Sequence, residues 1–276
     1  MTIQTALRQG SKLLEEGAVA APRLTAEVLL CHVLNCPRAY LYSHPEEELR
    51  PPAYDAYQGG LRERLAGKPT QYITRRQEFY GREFLVTPDV LIPRPETEHV
   101  IETALELAPQ ARRILDVGCG SGAIAITLSL ELARPVWASD ISMAALAVAA
   151  ENARRLRADI GLLACDVTEA VAAGSLDLVV SNPPYVPQGE EAGLQREIRD
   201  WEPRVALFSG PAGFDMYRRL VADAARVLKP GGWLILELGF KTAGPVREML
   251  DAGWRDLRTT PDLAGFERVL AARFLR

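Results

Sequence analysis

The 276-residue chain is poor in cysteine, in histidine and in excess basic charge, and each shortage removes a class of function. Its four cysteines, Cys31, Cys36, Cys119 and Cys165, form no C-x-x-C pair and no metal-ligand spacing, so no metal centre or disulfide framework is expected. They read as small buried side chains. The three histidines are scattered: His32 sits in a helical stretch as a core-edge residue, while His44 and His99 read as solvent or packing residues. Lys and Arg number 32 against 36 Asp and Glu, a net charge of −4, which disfavours electrostatic binding to long nucleic acid. No apolar run approaches about 18 residues, so no membrane span is expected. The first 20 residues carry Arg8, Lys12, Glu15 and Glu16, and so do not read as a secretory signal. A reduced, cytoplasmic protein is the expectation.

What is present is an ordinary globular composition, 48% apolar and 25% charged, long enough for one large domain or two unequal ones. Residues 1–75 read as short helices. Tyr54, Tyr57, Leu61 and Leu65 fall at i, i+3, i+7 and i+11, one helical stripe, with Gly67 and Pro69 as stop signals. Leu24, Val28, Leu29 and Val33 suggest a second apolar face. This block holds nine Lys or Arg and eight Asp or Glu, which makes no nucleic-acid patch. Residues 76–92 form a linking segment in which Glu78 to Val86 predicts a β-hairpin with Gly81 in its turn. Residues 93–276 form the largest domain. Pro95 suits the first position of a helix, with acids following. Short apolar strands at 113–117, 135–139, 160–164, 176–181 and 233–238 alternate with helices near 122–133, 142–156 and 213–228. This pattern predicts an α/β fold with a mostly parallel sheet covered on both faces, and the last 25 residues add an antiparallel edge.

Two motifs carry chemistry. Ile114 to Gly122 runs from a strand into a glycine loop with glycines at 118, 120 and 122. The spacing is G-x-G-x-G with Asp116 ahead of it, whereas a dinucleotide loop reads G-x-G-x-x-G. Asp116 would repel a pyrophosphate but could hold the ammonium of an amino acid, which points to S-adenosylmethionine (SAM) rather than NAD. Asp140 ends the next strand, where a carboxylate can accept both ribose hydroxyls. Asp166 follows the third strand and could accept from an adenine amino group. Any one of these acids alone would read as a helix cap or turn residue; three after successive strands read as a nucleoside site.

The second motif, Asn182-Pro183-Pro184-Tyr185, follows the fourth strand. The Asn182 side-chain carbonyl and the Pro183 backbone carbonyl can hold the two hydrogens of a planar –NH2 group, with Tyr185 flat against it. An amide or exocyclic nitrogen is a poor nucleophile because its lone pair is delocalised. Acceptors that orient it and stabilise developing positive charge favour attack on a sulfonium methyl.

These residues resemble a known family. Asp116 to Gly122 is similar to motif I of class I SAM-dependent methyltransferases, and Asn182 to Tyr185 to the motif of amino-group methyltransferases. Phe79-Tyr80-Gly81 and Val90 to Glu98 resemble the peptide chain release factor glutamine methyltransferase family, also called HemK or PrmC. The resemblance covers essentially the whole chain and implies a Rossmann-like, seven-stranded sheet. It also implies methylation of the glutamine in the Gly-Gly-Gln loop of class I release factors. Carried onto this sequence, it places SAM on Gly118, Cys119 (through its backbone), Gly120, Ser121, Gly122, Asp140 and Asn182, with a contact at Val167. It places the glutamine on Asn182, Pro183, Pro184 and Tyr185, and gives Arg94 and Glu98 either a site-closing or a structural role. A nucleic-acid amino methyltransferase would share this chemistry but would want a basic groove. A non-catalytic binding module would not need both motifs intact.

Overall fold

The computed structural model describes residues 1–262 and 264–276. The chain divides into two compact units, Met1–Arg76 with Gln195–Trp201, and Gln77–Leu194 with Glu202–Arg276. The first is built from α1 (Ile3–Glu16), α2 (Pro22–Leu34), α3 (Arg38–Ser43), α4 (Pro51–Leu65) and α5 (Thr70–Thr74), joined by a short helix from residues 196–201. Thr2 caps α1 by accepting from the Thr5 N–H, and Pro51 and Pro52 open α4 where no helical N–H is needed. Tyr57 and Leu61 of the α4 stripe are fully buried against Ile3, Ala6, Leu29 and Leu30. Gly10 lets this happen, since a Cβ there would lie 2.1 Å from the Tyr57 hydroxyl oxygen.

The buried face of α2 differs from the one expected. Of the expected residues Leu29 is buried and Val33 packs against the core, but Leu24 is exposed; Thr25, Ala26, Glu27 and Leu30 are inside, and His32 is exposed rather than at the core edge. Glu27 is a charged residue on the buried side. Its carboxylate is 2% exposed and receives Arg38 Nη2 at 2.6 Å, Arg23 Nε at 3.1 Å and the Tyr42 hydroxyl. These partners hold it below the ordinary carboxylate range against the opposing effect of burial. A buried charge satisfied in this way cannot be read from an apolar stripe.

In the second unit β1 (Arg76–Phe79) and β2 (Arg82–Leu85) form the hairpin. Tyr80 and Gly81 both have positive φ, 51° and 68°, the geometry that suits a two-residue hairpin turn. A single turn at Pro95–Thr97 leads into α6 (Glu98–Leu107). Then follow β3 (Ile114–Val117), α7 (Ala123–Leu132), β4 (Val136–Asp140), α8 (Met143–Leu156), β5 (Ile160–Ala164) and β6 (Leu176–Ser181). The chain supplies α9 (Arg196–Trp201) to the first unit and returns through α10 (Arg204–Leu207), α11 (Asp215–Val227), β7 (Leu228–Glu237), α12 (Ala243–Glu248), β8 (Trp254–Pro261) and β9 (Glu267–Phe274).

Among the described residues the main sheet has seven strands in the order β5-β4-β3-β6-β7-β9-β8. The first five are parallel and the last two are antiparallel additions, as the terminal residues suggested. Ile114, Leu178, Val180 and Ile235 face one layer of helices, and Leu115, Val179, Leu234 and Leu236 face the other. Such two-sided burial gives the continuous apolar runs read from the sequence. The chain winds outward from β3 to β5, then crosses back to β6. The reversal leaves a crevice at the carboxyl ends of β3 and β6, where open α/β sheets bind ligands.

Candidate active site

A cavity opens at that crevice. The loop after β3 forms one wall. The Gly118 and Cys119 N–H groups both donate to the Ser139 carbonyl, at 2.8 and 3.0 Å, which folds the loop over the end of β4. Gly118 and Gly120 have φ of 72° and 52°, and a Cβ on either would meet nothing within 4 Å. The backbone therefore presents an open cradle that a ligand can approach closely.

Asp140 closes the cradle. Its Oδ2 accepts from the Gly120 N–H at 2.9 Å and its Oδ1 from the Ser142 N–H at 2.9 Å. Each oxygen keeps a second acceptor position, enough for a vicinal pair of hydroxyls. Ser142 then caps α8 through the Ala145 N–H. Asp166 also borders the cavity but is paired with Arg219 at 2.6 Å. Val167 beside it holds a φ of 48°, a strained conformation for a β-branched residue, fixed because its carbonyl accepts from the Ser139 hydroxyl.

Of the expected cofactor residues, Gly118, Cys119, Gly120 and Ser121 line the cavity with Asp140, Asp166, Val167 and Asn182. Asp116 and Gly122 do not. Asp116 is completely buried beneath the loop, and its Oδ2 accepts from the Ala125 N–H at 3.1 Å near the start of α7. Burial pushes its carboxyl up to about 7, and its Oδ1 has no partner among the described residues. Gly122 is a packing glycine: a Cβ there would lie 2.9 Å from Ile126 Cδ1 and 3.2 Å from Ala149 Cβ. The Cys119 thiol is buried and pushed well above its ordinary range, which leaves it neutral.

The opposite wall follows β6. The Ser181 hydroxyl donates to the Val117 carbonyl at 2.7 Å, tying the ends of β3 and β6 together. Asn182, Pro183 and Pro184 line the cavity. Tyr185 is not among the lining residues; its ring lies against Gly239, where a Cβ would come within 2.6 Å of Tyr185 Cδ2. Burial raises its phenol to about 12. The tyrosine packs against the backbone at Gly239, beside the turn.

The third side comes from the segment ahead of α6, where Val90, Pro93 and Thr97 border the cavity. Arg94 pairs with the buried Glu202. Glu98 accepts from the Tyr80 N–H at 2.8 Å, so it pins the hairpin turn and plays the structural role. Two residues escaped the sequence reading altogether. Asn152 bonds both backbone groups of Leu85 and the Ser121 carbonyl, fastening β2 to the glycine loop. Glu237, at the end of β7, is 2% exposed and accepts from Thr97. An acid closing the apolar run Trp233 to Leu236 was the one available signal. Among the described residues no group of His, Cys, Asp and Glu could hold a metal ion, and no helix is long and apolar enough to cross a membrane.

An open glycine cradle, an acid with spare acceptor positions and a neighbouring amide carbonyl fit a nucleoside cofactor carrying an amino acid. Residues 5–74 match the family described as PrmC N-terminal domain, and residues 97–198 match the methyltransferase small domain. The release factor glutamine methyltransferase of Koribacter versatilis is 47% identical, over 99% of both chains. That of Moorella thermoacetica is 44% identical, over 99% of this chain and 98% of its own. The chain belongs to the release factor glutamine methyltransferase family. It is a class I SAM-dependent methyltransferase in fold. A methyltransferase from Pyrococcus furiosus superposes with a TM-score of 0.54 at 18% identity, over 72% of this chain and 91% of its own. The T. thermophilus 16S rRNA N2 G1207 methyltransferase, solved with AdoMet and guanosine, gives 0.51 at 22%, over 73% of this chain and 50% of its own. Both likenesses concern the fold.

Proposed function

We propose that this chain methylates the side-chain amide nitrogen of the glutamine in the Gly-Gly-Gln loop of class I release factors, with SAM as methyl donor. The supporting observation is that Asn182 and Pro183 share one cavity with the glycine cradle and Asp140. Gly118, Cys119, Gly120, Ser121, Asp140, Asp166 and Val167 hold the cofactor. When bound there, SAM supplies an electrophilic methyl on a positively charged sulfur. Asn182 Oδ1 and the Pro183 carbonyl accept from the glutamine –NH2, orient its nitrogen and stabilise the positive charge that grows on it. The two prolines fix this edge of the loop, and Pro183 has no N–H to compete for its neighbours. No side-chain nucleophile is needed, and the surplus proton leaves the methylated nitrogen for water.

The helical residues 1–75 serve substrate recognition, residues 76–92 link, and residues 93–276 carry out transfer. A translation substrate supports a cytoplasmic location. The net charge of −4 supports direct action on protein rather than on nucleic acid. Radiolabelled methyl transfer to purified release factor, its Gln→Ala variant, tRNA, rRNA and DNA tests this side by side. Label is expected on the unaltered release factor alone. Label on a nucleic acid in place of release factor would overturn the reading.

A further inference from the structure

Asn182 can serve as an acceptor only if its amide is turned the right way. Its Nδ2 donates to Thr97 Oγ1 at 3.1 Å, and its Oδ1 has no hydrogen-bond partner among the described residues. Thr97 is 3% exposed, and its hydroxyl donates to Glu237 Oε2 at 2.5 Å. Glu237 is itself buried, with its backbone carbonyl accepting from the Tyr217 hydroxyl at 2.9 Å.

Counting donors and acceptors fixes the direction of this chain. An ionised carboxylate only accepts, so the single Thr97 hydroxyl proton belongs to Glu237. The Thr97 oxygen is then left to accept, and Asn182 must face it with –NH2. The amide oxygen is thereby left for the substrate. Protonating Glu237 removes that constraint: the acid can donate to Thr97, Thr97 can then donate to Asn182, and the amide is free to turn its –NH2 to the cavity. An –NH2 there cannot accept from a glutamine –NH2. We infer that Thr97 and Glu237 are positioning residues that hold the Asn182 amide in its acceptor orientation, and that they do so only while Glu237 is ionised. This rests on the proposed glutamine chemistry and adds to it the two groups that set its geometry.

The surroundings make the ionisation responsive. Burial dominates and raises the Glu237 carboxyl to about 7, and Glu96 in the turn ahead of α6 pushes the same way. Thr97, Arg268 on β9 and Arg94 oppose them. The phenols of Tyr185 and Tyr217 also face it, and both are raised too far to ionise at neutral pH.

The test uses the full chain with saturating SAM and purified release factor. Thr97→Val, which keeps shape and removes the hydroxyl, should lower kcat about 10- to 100-fold with KM little changed, the scale of a misplaced reactive group. Thr97→Ser should restore most of the rate. Wild-type kcat should fall as pH drops through about 7, and Glu237→Gln should flatten that limb. A readout without substrate separates this claim from the substrate assignment. The Asn182 side-chain NH2 signals in 1H–15N NMR spectra should titrate near neutrality in wild type and stop doing so in Glu237→Gln. Wild-type signals that stay fixed between about pH 6 and 8 would overturn the proposal, as would a folded Thr97→Val at full rate. Absence of any transfer to release factor would overturn the substrate reading, with the NMR titration still deciding the orientation.

Discussion

The two walls of the cavity are built on opposite principles. The loop after β3 works through backbone: three glycines at positive φ, and N–H groups held by the Ser139 carbonyl and Asp140. The loop after β6 adds to the Pro183 carbonyl one side chain, Asn182, whose orientation depends on Thr97 and Glu237, residues far apart in the chain. A backbone wall makes little demand on side-chain chemistry, and the buried Cys119 thiol stays neutral. A side-chain wall fails when any member of its hydrogen-bond chain is lost.

That contrast is sharpest at Asn182. Replacing it with alanine should lower kcat about 100- to 1,000-fold, the scale for one preorganised polar group. Because the loss falls on the transition state, KM should rise less, and the thermal midpoint should hold. Asn182→Asp should be slow as well, because two carboxylates would then compete for the Thr97 proton. Single-turnover transfer at saturating SAM, beside thermal melts, reads both. Near-wild-type rates in Asn182→Ala would erase the distinction between the walls.

On the backbone wall, Asp140→Ala should weaken SAM about 10- to 100-fold through lost charged hydrogen bonds, measured by calorimetric titration. The kcat at saturating SAM should change far less than in Asn182→Ala. Gly122→Ala should instead cost stability, about 1–3 kcal/mol, because its φ is 81° and its Cβ would press on Ile126 and Ala149. Denaturant titration checks this.

A further effect is one of pH. Asp116 and Glu237 have carboxyls raised to about 7 from ordinary values of 3.8 and 4.5. The folded state therefore binds more protons than the unfolded state between those limits, and stability falls as pH rises through about 7. Asp116→Asn should remove part of that slope in melts taken across the range.

How much of this could be read in advance follows the same division. The sheet, its helices and the glycine loop are local patterns of apolar runs and turn residues, and they are legible in the sequence. The loop's SAM chemistry was legible from the acid ahead of it and the glycine spacing, although Asp116 itself proves to lie under the loop. The Asn-Pro-Pro-Tyr turn was legible as a motif, but not the position of its tyrosine, which is set by packing on Gly239. The buried Glu27, Asn152 and Glu237 were not legible, because polar groups inside a fold are settled by partners remote in sequence.

The central claim is that the cavity directs a methyl to an amide nitrogen. Release factor should be treated with the full chain and SAM, digested, and the modified peptide sequenced by mass spectrometry. The account predicts one methyl, on the side chain of the glutamine in the Gly-Gly-Gln peptide. A methyl on any other residue, or an unmodified Gly-Gly-Gln peptide after full consumption of SAM, would contradict it.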